Sequence, residues 1–307
     1  MIKTKAPVNI ALIKYWGKAS LDPVRPSTPS ISVTLDAFYT ETSIQQSEVF
    51  SLTLNQKPVD KAFLEKTETF IRLFQPEGPI KLAIDTVNHV PTAAGLASSA
   101  SGFAALSLAL HHVYQKPLDT LNAWTALGSG SAVRSLKGGA VMWHLDGQIE
   151  ALDIDVSIYQ MAVVMIDTQP KKISSRDAMK SVQDSTYYQD WVRRNTVRAD
   201  AMKEALYQAD MEKIGPLMEA STLDMHSLGI FGDSPLVYLK PDTLKLWDAL
   251  IQERKSGLQA YATADAGPNL KILFKRPDHD KIKAFLDAFE HPYVITDLTL
   301  QGARLCR

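Results

Sequence analysis

Polar and apolar positions change their period several times along the chain, and each change predicts an element. Over residues 31–54, ISVTLDAFYTETSIQQSEVFSLTL alternates β-branched or aromatic residues with polar ones, the signature of half-buried strands, and LNQKPVD follows as a turn. Apolar residues recur at helical spacing over 61–74, IKLAIDTVNHV returns to strand, and Pro91 ends it. FAALSLALHHVY reads as a helix. DTLNAWTALGSGSAVRSLKGG predicts a second, opened by Asp119 or Thr120 and closed at Gly138 and Gly139. AVMWHL and MAVVMIDT are strands.

Beyond Asp167 the period becomes helical. Ser174 or Ser175 is placed to cap a helix whose first turn carries Asp177. Helical spacing continues over 191–206, 211–225 and 243–253, with Gly257 as a stop. LQAYATAD and NLKILFK flank an AGP turn, KIKAFLDAF is helical, and PYVITDLTL is a last strand. This order predicts an α+β protein with one domain over 1–180 and a smaller α+β domain over 181–307.

Composition narrows the function. The 33 basic and 34 acidic residues nearly cancel, which argues against a protein held by nucleic-acid phosphates, so an anionic ligand must be met by local groups. The single Cys306 excludes a disulfide framework within the chain and a thiolate metal cluster, and it fits a reducing compartment. The seven histidines show no metal-ligand spacing, and His111 and His112 are adjacent on a helix and cannot share one face. Lys14 interrupts the apolar N-terminal residues and no small-residue cleavage site follows, so no secretory signal is predicted. Later apolar runs fall short of the roughly 20 residues that cross a bilayer. A cytoplasmic protein without a nucleic-acid or membrane partner is expected.

Three segments carry candidate chemistry. PTAAGLASSASG runs small residues into a helix start, where unpaired N–H groups and the dipole favour an anion. Gly95 and Ala97 would let it approach the backbone, and Ser98, Ser99 and Ser101 would add hydroxyls. A tight helix crossing with a serine cap is the competing explanation, and the absence of GxxxxGK[ST] excludes a Walker loop. In NIALIKYWGK, the alternation of Asn9, Ala11 and Ile13 predicts a strand that delivers Tyr15, Trp16 and Lys18 to its end, although Trp16 also suits a core and Lys18 a solvated surface. In ADAGPN, Asp265 stands at a Gly-Pro turn, where aspartate is also an ordinary turn former.

Together with SGSAVRSLKGG and KKISSRDAM, these segments resemble the diphosphomevalonate decarboxylases in order and spacing, from Asn9 to about Asn269. That family lies within the group of small-molecule kinases that includes galactokinase, homoserine kinase and mevalonate kinase. The resemblance implies an N-terminal domain like the second domain of ribosomal protein S5, a ferredoxin-like C-terminal domain, and a homodimer. It also implies ATP-dependent decarboxylation of (R)-5-diphosphomevalonate to isopentenyl diphosphate through phosphorylation of the 3-hydroxyl, with Mg²⁺ accompanying ATP.

The site residues follow from the same resemblance. Residues 95–101, with Gly95, Leu96, Ala97, Ser98, Ser99 and Ser101, match the ATP-phosphate loop. Asp265 matches the carboxylate set against the substrate hydroxyl, Lys18 the lysine close to it, and Arg134 the arginine facing the substrate carboxylate. Tyr15, Trp16, Gly17, Lys18, Ser129, Gly130, Ser131 and either Ser174 or Ser175 are the remaining substrate contacts; Lys57, after a turn, is placed to meet the substrate diphosphate but equally suits a solvated turn. Lys137 stands where family members often carry an aromatic residue. A decarboxylase of the monophosphate, a related kinase that stops at the phosphorylated product, and a non-catalytic metabolite sensor are the alternatives.

Overall fold

The computed structural model describes residues 1–90, 98–167, 169, 173–232 and 235–306, with the backbone but not the side chain of Ser98. The chain opens with β1 (Ile2–Ile13), whose second half is buried on both faces. A short hairpin, β2 (Lys18–Leu21) and β3 (Val24–Pro26), leads into the long β4 (Ser30–Gln46). Next come β5 (Ser51–Leu54), β6 (Lys57–Pro58), α1 (Lys61–Ile71) and β7 (Leu82–His89). They are followed by α2 (Ser98–Val113), α3 (Leu121–Gly128), α4 (Ala132–Lys137), β8 (Ala140–Trp143) and β9 (Ile149–Leu152).

β1 pairs antiparallel with β4, and the register shifts between Pro7 and Asn9 and again between Ala11 and Ile13. Pro7 has no N–H for the ladder, and such irregularities re-aim the strand end. Val8, Ile10 and Leu12 face one core, whereas Ala6, of the same parity, faces another, because the irregularity between Pro7 and Asn9 swaps the faces of the strand. The second core lies under α1 and α2. There the small residues Ala104, Ala105 and Ala109 let α2 close on the sheet, so that the Thr4 hydroxyl donates to the Ala105 carbonyl at 2.8 Å. Small residues in α2 therefore serve packing, whatever residues 95–97, outside the described residues, do.

The single helix expected over 119–137 is two. Ser129, at the end of α3, is extended, and α4 starts only at Ala132. The GSGS run has too little helix propensity to carry the turn through.

A second sheet has the order β11-β12-β10-β13, all antiparallel. Its strands are β10 (Tyr159–Val164), β11 (Ala260–Ala264), β12 (Leu270–Lys275) and β13 (Tyr293–Asp297). Since β10 belongs to this sheet, the change of sheet comes before residue 159, ahead of the division expected at 180. The apolar run of β10 told the sequence reading that a buried strand was there, but not which sheet would receive it.

Between β10 and β11 lie α5 (Ser175–Val182), α6 (Thr186–Tyr207), α7 (Met211–Ile230) and α8 (Pro241–Arg254), and α9 (His279–Asp287) follows β12. β14 (Arg304–Leu305) returns to pair with β1, completing an eight-stranded first sheet of order β14-β1-β4-β7-β5-β6, with β8 on β4 and β9 on β8. Leu270, Ile272 and Phe274 of β12 pack under α8 and α9. Leu273 turns the other way, into the core shared with α6, α7 and the first sheet. Lys271 shares the parity of Leu273.

Candidate active site

The end of β1 meets the end of β11 beside α7. The Lys14 backbone is fixed there, its N–H donating to Ser221 Oγ at 2.9 Å and its carbonyl accepting from Asn195 Nδ2 at 3.0 Å. The Ser221 hydroxyl donates to Asn195 Oδ1, which locks α6 and α7 together behind the strand end. Lys14 is 1% exposed, and its ammonium reaches Asp265 Oδ1 at 2.9 Å and the Ala11 carbonyl at 3.0 Å. Lys271 Nζ stands 3.4 Å from Asp265 Oδ2. Asp265 thus lies between two buried ammonium groups. Burial pushes Lys14 below the ordinary lysine value; Asp265 opposes this, while Lys271 and Arg134 add to it.

A second group projects from α4 and the end of β1. Arg134, 2% exposed, donates from Nε to Ser32 Oγ at 3.1 Å and from Nη1 to Ser30 Oγ at 2.6 Å. Its guanidinium carbon stands 5.9 Å from the Tyr15 ring centroid. Burial lowers its pKa to about 10, against the favourable charges of Tyr15 and Asp265. Tyr15 rests against Trp143 at 5.1 Å, and its hydroxyl is buried with no partner among the described residues. Burial raises that phenol above its ordinary value. A Cβ on Gly130 would lie 2.5 Å from the Tyr15 oxygen, so the glycine is what lets the loop approach the ring. Ser129 and Ser131 place their hydroxyl oxygens 3.3 Å apart beside it.

A third group is cationic. Lys18, Lys66 and Arg176 are close enough to depress Lys66 to about 8, mainly through burial and then through Arg176 and Lys18. Arg176 and burial likewise lower Lys18. Lys66 Nζ lies 4.5 Å from the Phe103 ring centroid and borders a pocket walled by Leu52, Leu54, Phe63 and Leu106. Thr86, Asn88 and Ser99 give that pocket its polar rim.

Sequence reasoning placed Lys18 beside Asp265, and the structure corrects this. Lys18 Nζ faces the Ala126 carbonyl at 3.5 Å, and the lysine at the carboxylate is Lys14. The first is reached from β2, after the chain has turned at Gly17, whereas the second follows directly from β1.

Other expected contacts go elsewhere. The Trp16 ring is buried in an apolar cluster with Tyr188 and Trp191. Gly17, at φ +142°, makes room for the Tyr188 hydroxyl, which donates to the Trp16 carbonyl. Lys57 is exposed on β6, separated from β1 by β4, β7 and β5. Ser101 is buried, its hydroxyl 2.7 Å from that of Thr40, so it serves the contact of α2 with the sheet. Ser174 caps α5 through Asp177, and Ser175 is the first helical residue. Lys137 is exposed. Gly95, Leu96, Ala97 and the Ser98 side chain lie outside the described residues.

Lys14, Lys271, Lys66 and Arg176 were missed. Lysines within the apolar runs NIALIK and LKILFK were the available signal for the first two, because an unpaired charge is not buried in a core. Among the described residues, no group of three or more His, Cys, Asp or Glu could hold a metal ion, and no helix is long and apolar enough to cross a membrane.

Comparison with known proteins gives a consistent result over both halves of the chain. Residues 6–153 match the diphosphomevalonate decarboxylase-like N-terminal domain, and residues 161–304 match the mevalonate 5-diphosphate decarboxylase C-terminal domain. The diphosphomevalonate decarboxylase of Candida albicans is 33% identical over 92% of this chain and 86% of its own, and that of Saccharomyces cerevisiae is 31% identical over 92% and 79%. Among solved structures, mevalonate diphosphate decarboxylase from Staphylococcus aureus superposes with a TM-score of 0.92 at 32% identity, covering 100% of this chain and 98% of that one. A structure described as MDDEF in complex with MVAPP, AMPPCP and magnesium also gives 0.92, at 34% identity, covering 99% and 98%.

Proposed function

Since the chain belongs to the diphosphomevalonate decarboxylase family, we infer that it converts ATP and (R)-5-diphosphomevalonate into isopentenyl diphosphate, ADP, phosphate and carbon dioxide, with Asp265 and Lys14 at the reacting centre. The observation that carries the residue assignment is the Asp265 carboxylate held between Lys14 and Lys271, with Arg134 within electrostatic reach.

The substrate's tertiary hydroxyl is a poor leaving group until it is phosphorylated. Asp265 orients that hydroxyl and accepts its proton as the oxygen attacks the γ-phosphorus of ATP and ADP departs. Lys14 steadies the charge on the transferring phosphoryl group. Cleavage of the C–O bond then releases phosphate, and the electron pair of the bond to the carboxylate becomes the new double bond as carbon dioxide leaves. Arg134, fixed by Ser30 and Ser32, offers its remaining donors to the substrate carboxylate. Tyr15, Ser129 and Ser131 line the same side.

The pocket beside α2 suits a nucleoside, with apolar walls for the base and Thr86, Asn88 and Ser99 for its polar edges. Lys18, Lys66 and Arg176 supply positive charge for its phosphates, whose Mg²⁺ arrives with ATP and screens them. A homodimer in the cytoplasm is our reading of the assembly and location; the family resemblance supports the first, and the single cysteine and the use of ATP the second.

Carbon dioxide release with ATP and Mg²⁺, compared across mevalonate, its 5-phosphate and its 5-diphosphate, tests the substrate. The 5-diphosphate is expected to be used most efficiently by a wide margin. Equal efficiency with the monophosphate would overturn that choice, and phosphorylation without carbon dioxide would make the protein a kinase.

A further inference from the structure

Near the Lys14–Asp265 pair, α7 carries His226, only 4% exposed. It lies one helical turn after Thr222, whose hydroxyl meets that of Thr263 on β11 at 2.9 Å, so its ring faces the same strand end. Three buried polar atoms here have no partner among the described residues: His226 Nε2, the Tyr238 hydroxyl and Trp16 Nε1. Their rings are neighbours. His226 and Tyr238 have centroids 5.9 Å apart at 75°, and Trp16 and Tyr238 6.5 Å apart at 88°.

Trp191 Nε1, in the same apolar cluster as Trp16, is likewise without a partner among the described residues, but the three on the neighbouring rings are the ones a single shared water would satisfy, since buried waters ordinarily make two to four such bonds. The donor count fits one water. The indole N–H donates to it, it donates to the imidazole nitrogen, and the phenol takes the remaining position. The connections of these residues give the water a purpose. Trp16 is two positions after Lys14, and the backbone of Ala264, the residue before Asp265, is near enough to the His226 ring to favour its protonated form.

We propose that His226 is a positioning residue. Through one enclosed water shared with Trp16 and Tyr238, at the point where α7 packs on the end of β11, it fixes the separation of Lys14 and Asp265. The inference rests on the reading of those two residues as the reacting centre. A neutral ring is what such a post requires, because a further cation would compete with Lys14 and Lys271 for one carboxylate. Burial, followed by the charge of Lys14, pushes His226 down to about 4, so the ring is neutral at working pH; the Ala264 backbone and Asp265 oppose this shift, and Lys271 adds to it.

The test compares His226→Phe, His226→Gln and Tyr238→Phe with the parent enzyme, taking Asp265→Asn as reference. Phenylalanine fills the ring's space without a hydrogen bond, whereas glutamine is neutral and keeps both a donor and an acceptor. His226→Phe should lower kcat about tenfold, the scale of a sub-ångström misplacement, with the KM values for both substrates within about twofold of the parent. His226→Gln should recover most of that loss. Tyr238→Phe should lower kcat in the same sense, and the double variant His226→Phe with Tyr238→Phe should be no worse than His226→Phe alone.

Parental kcat in a folded His226→Phe, or a glutamine variant no better than the phenylalanine one, overturns the proposal. Should His226→Phe fail to fold, Tyr238→Phe decides: a lowered kcat supports the water and a parental one removes it. An Asp265→Asn enzyme at parental rate would instead sink the reading of the centre itself, so the two failures are distinct.

Discussion

Lys14 Nζ stands 2.9 Å from Asp265 Oδ1, across 251 positions of chain, while Lys18 points to the carbonyl of Ala126. The two lysines of KYWGK therefore have different work. Lys14 is paired with the carboxylate proposed to take the hydroxyl's proton, and Lys18 lies with Lys66 and Arg176.

Lys14→Met is accordingly expected to lower kcat by roughly a hundredfold or more, the scale of losing a charge aimed at the transition state. Lys18→Met should keep most of kcat and raise the KM for ATP several-fold. Steady-state kinetics of both folded variants check this, and an inactive Lys18→Met beside a competent Lys14→Met would reverse the assignment.

The cationic group makes a pH prediction. Lys66 is protonated below about 8 and neutral above it, and ATP, being an anion, prefers the protonated form. Since free-enzyme groups govern kcat/KM, that ratio for ATP should fall as pH rises through about 8. Bound phosphate raises the lysine's proton affinity, so kcat should change less. In Lys66→Met the limb near 8 should vanish from a ratio that is lower throughout. Persistence of the limb would assign it to another group.

Lys14 and Lys271 were both missed, although each interrupts an apolar run, and how far the run alone could have placed each is a matter of register. The pattern of NIALI predicts a strand ending near Ile13, as found, and a period of two gives the faces of its residues. It says nothing of the first residue beyond the strand, where the chain leaves the ladder and Lys14 turns inward. Lys271 could have been read, since Leu270, Ile272 and Phe274 take one face of β12 and put it on the other. Its partner could not, because the meeting of β11 with β1 is decided by packing through α7. The turn at Asp265 was legible from its AGP sequence and Arg134 from the family resemblance of SGSAVRS, whereas the break that ends α3 and starts α4 within that run was not. The cluster of Lys18, Lys66 and Arg176 draws on three distant elements and leaves no local trace.

Gly130→Ala tests the approach of the serine loop to Tyr15. The added methyl would lie 2.5 Å from the phenol oxygen and 2.8 Å from Cζ, so the ring must move off Trp143 or the loop must withdraw. Both displace the groups that line the substrate's side of Arg134. A rise of about tenfold in the KM for diphosphomevalonate is expected, with a smaller effect on kcat and on the KM for ATP. Unchanged kinetics would remove Tyr15 from the substrate site.

Asp265→Asn is the sharpest test of the centre, because asparagine is nearly the same size and equally at home in a turn. If Asp265 only shapes the tight turn in which Gly267 N–H bonds its carbonyl at 2.6 Å, activity should survive. If the carboxylate orients and deprotonates the 3-hydroxyl, kcat should fall by roughly a hundredfold or more, with a smaller change in KM. The substitution also leaves the buried ammonium groups of Lys14 and Lys271 facing a neutral amide, and breaking a buried pair typically costs about 3–5 kcal/mol. A lower melting temperature is therefore expected as well, and rates must be compared where both proteins are fully folded. A folded variant with near-parental turnover would take the proton-accepting role away from Asp265, leaving two buried lysines with a purely structural counter-charge.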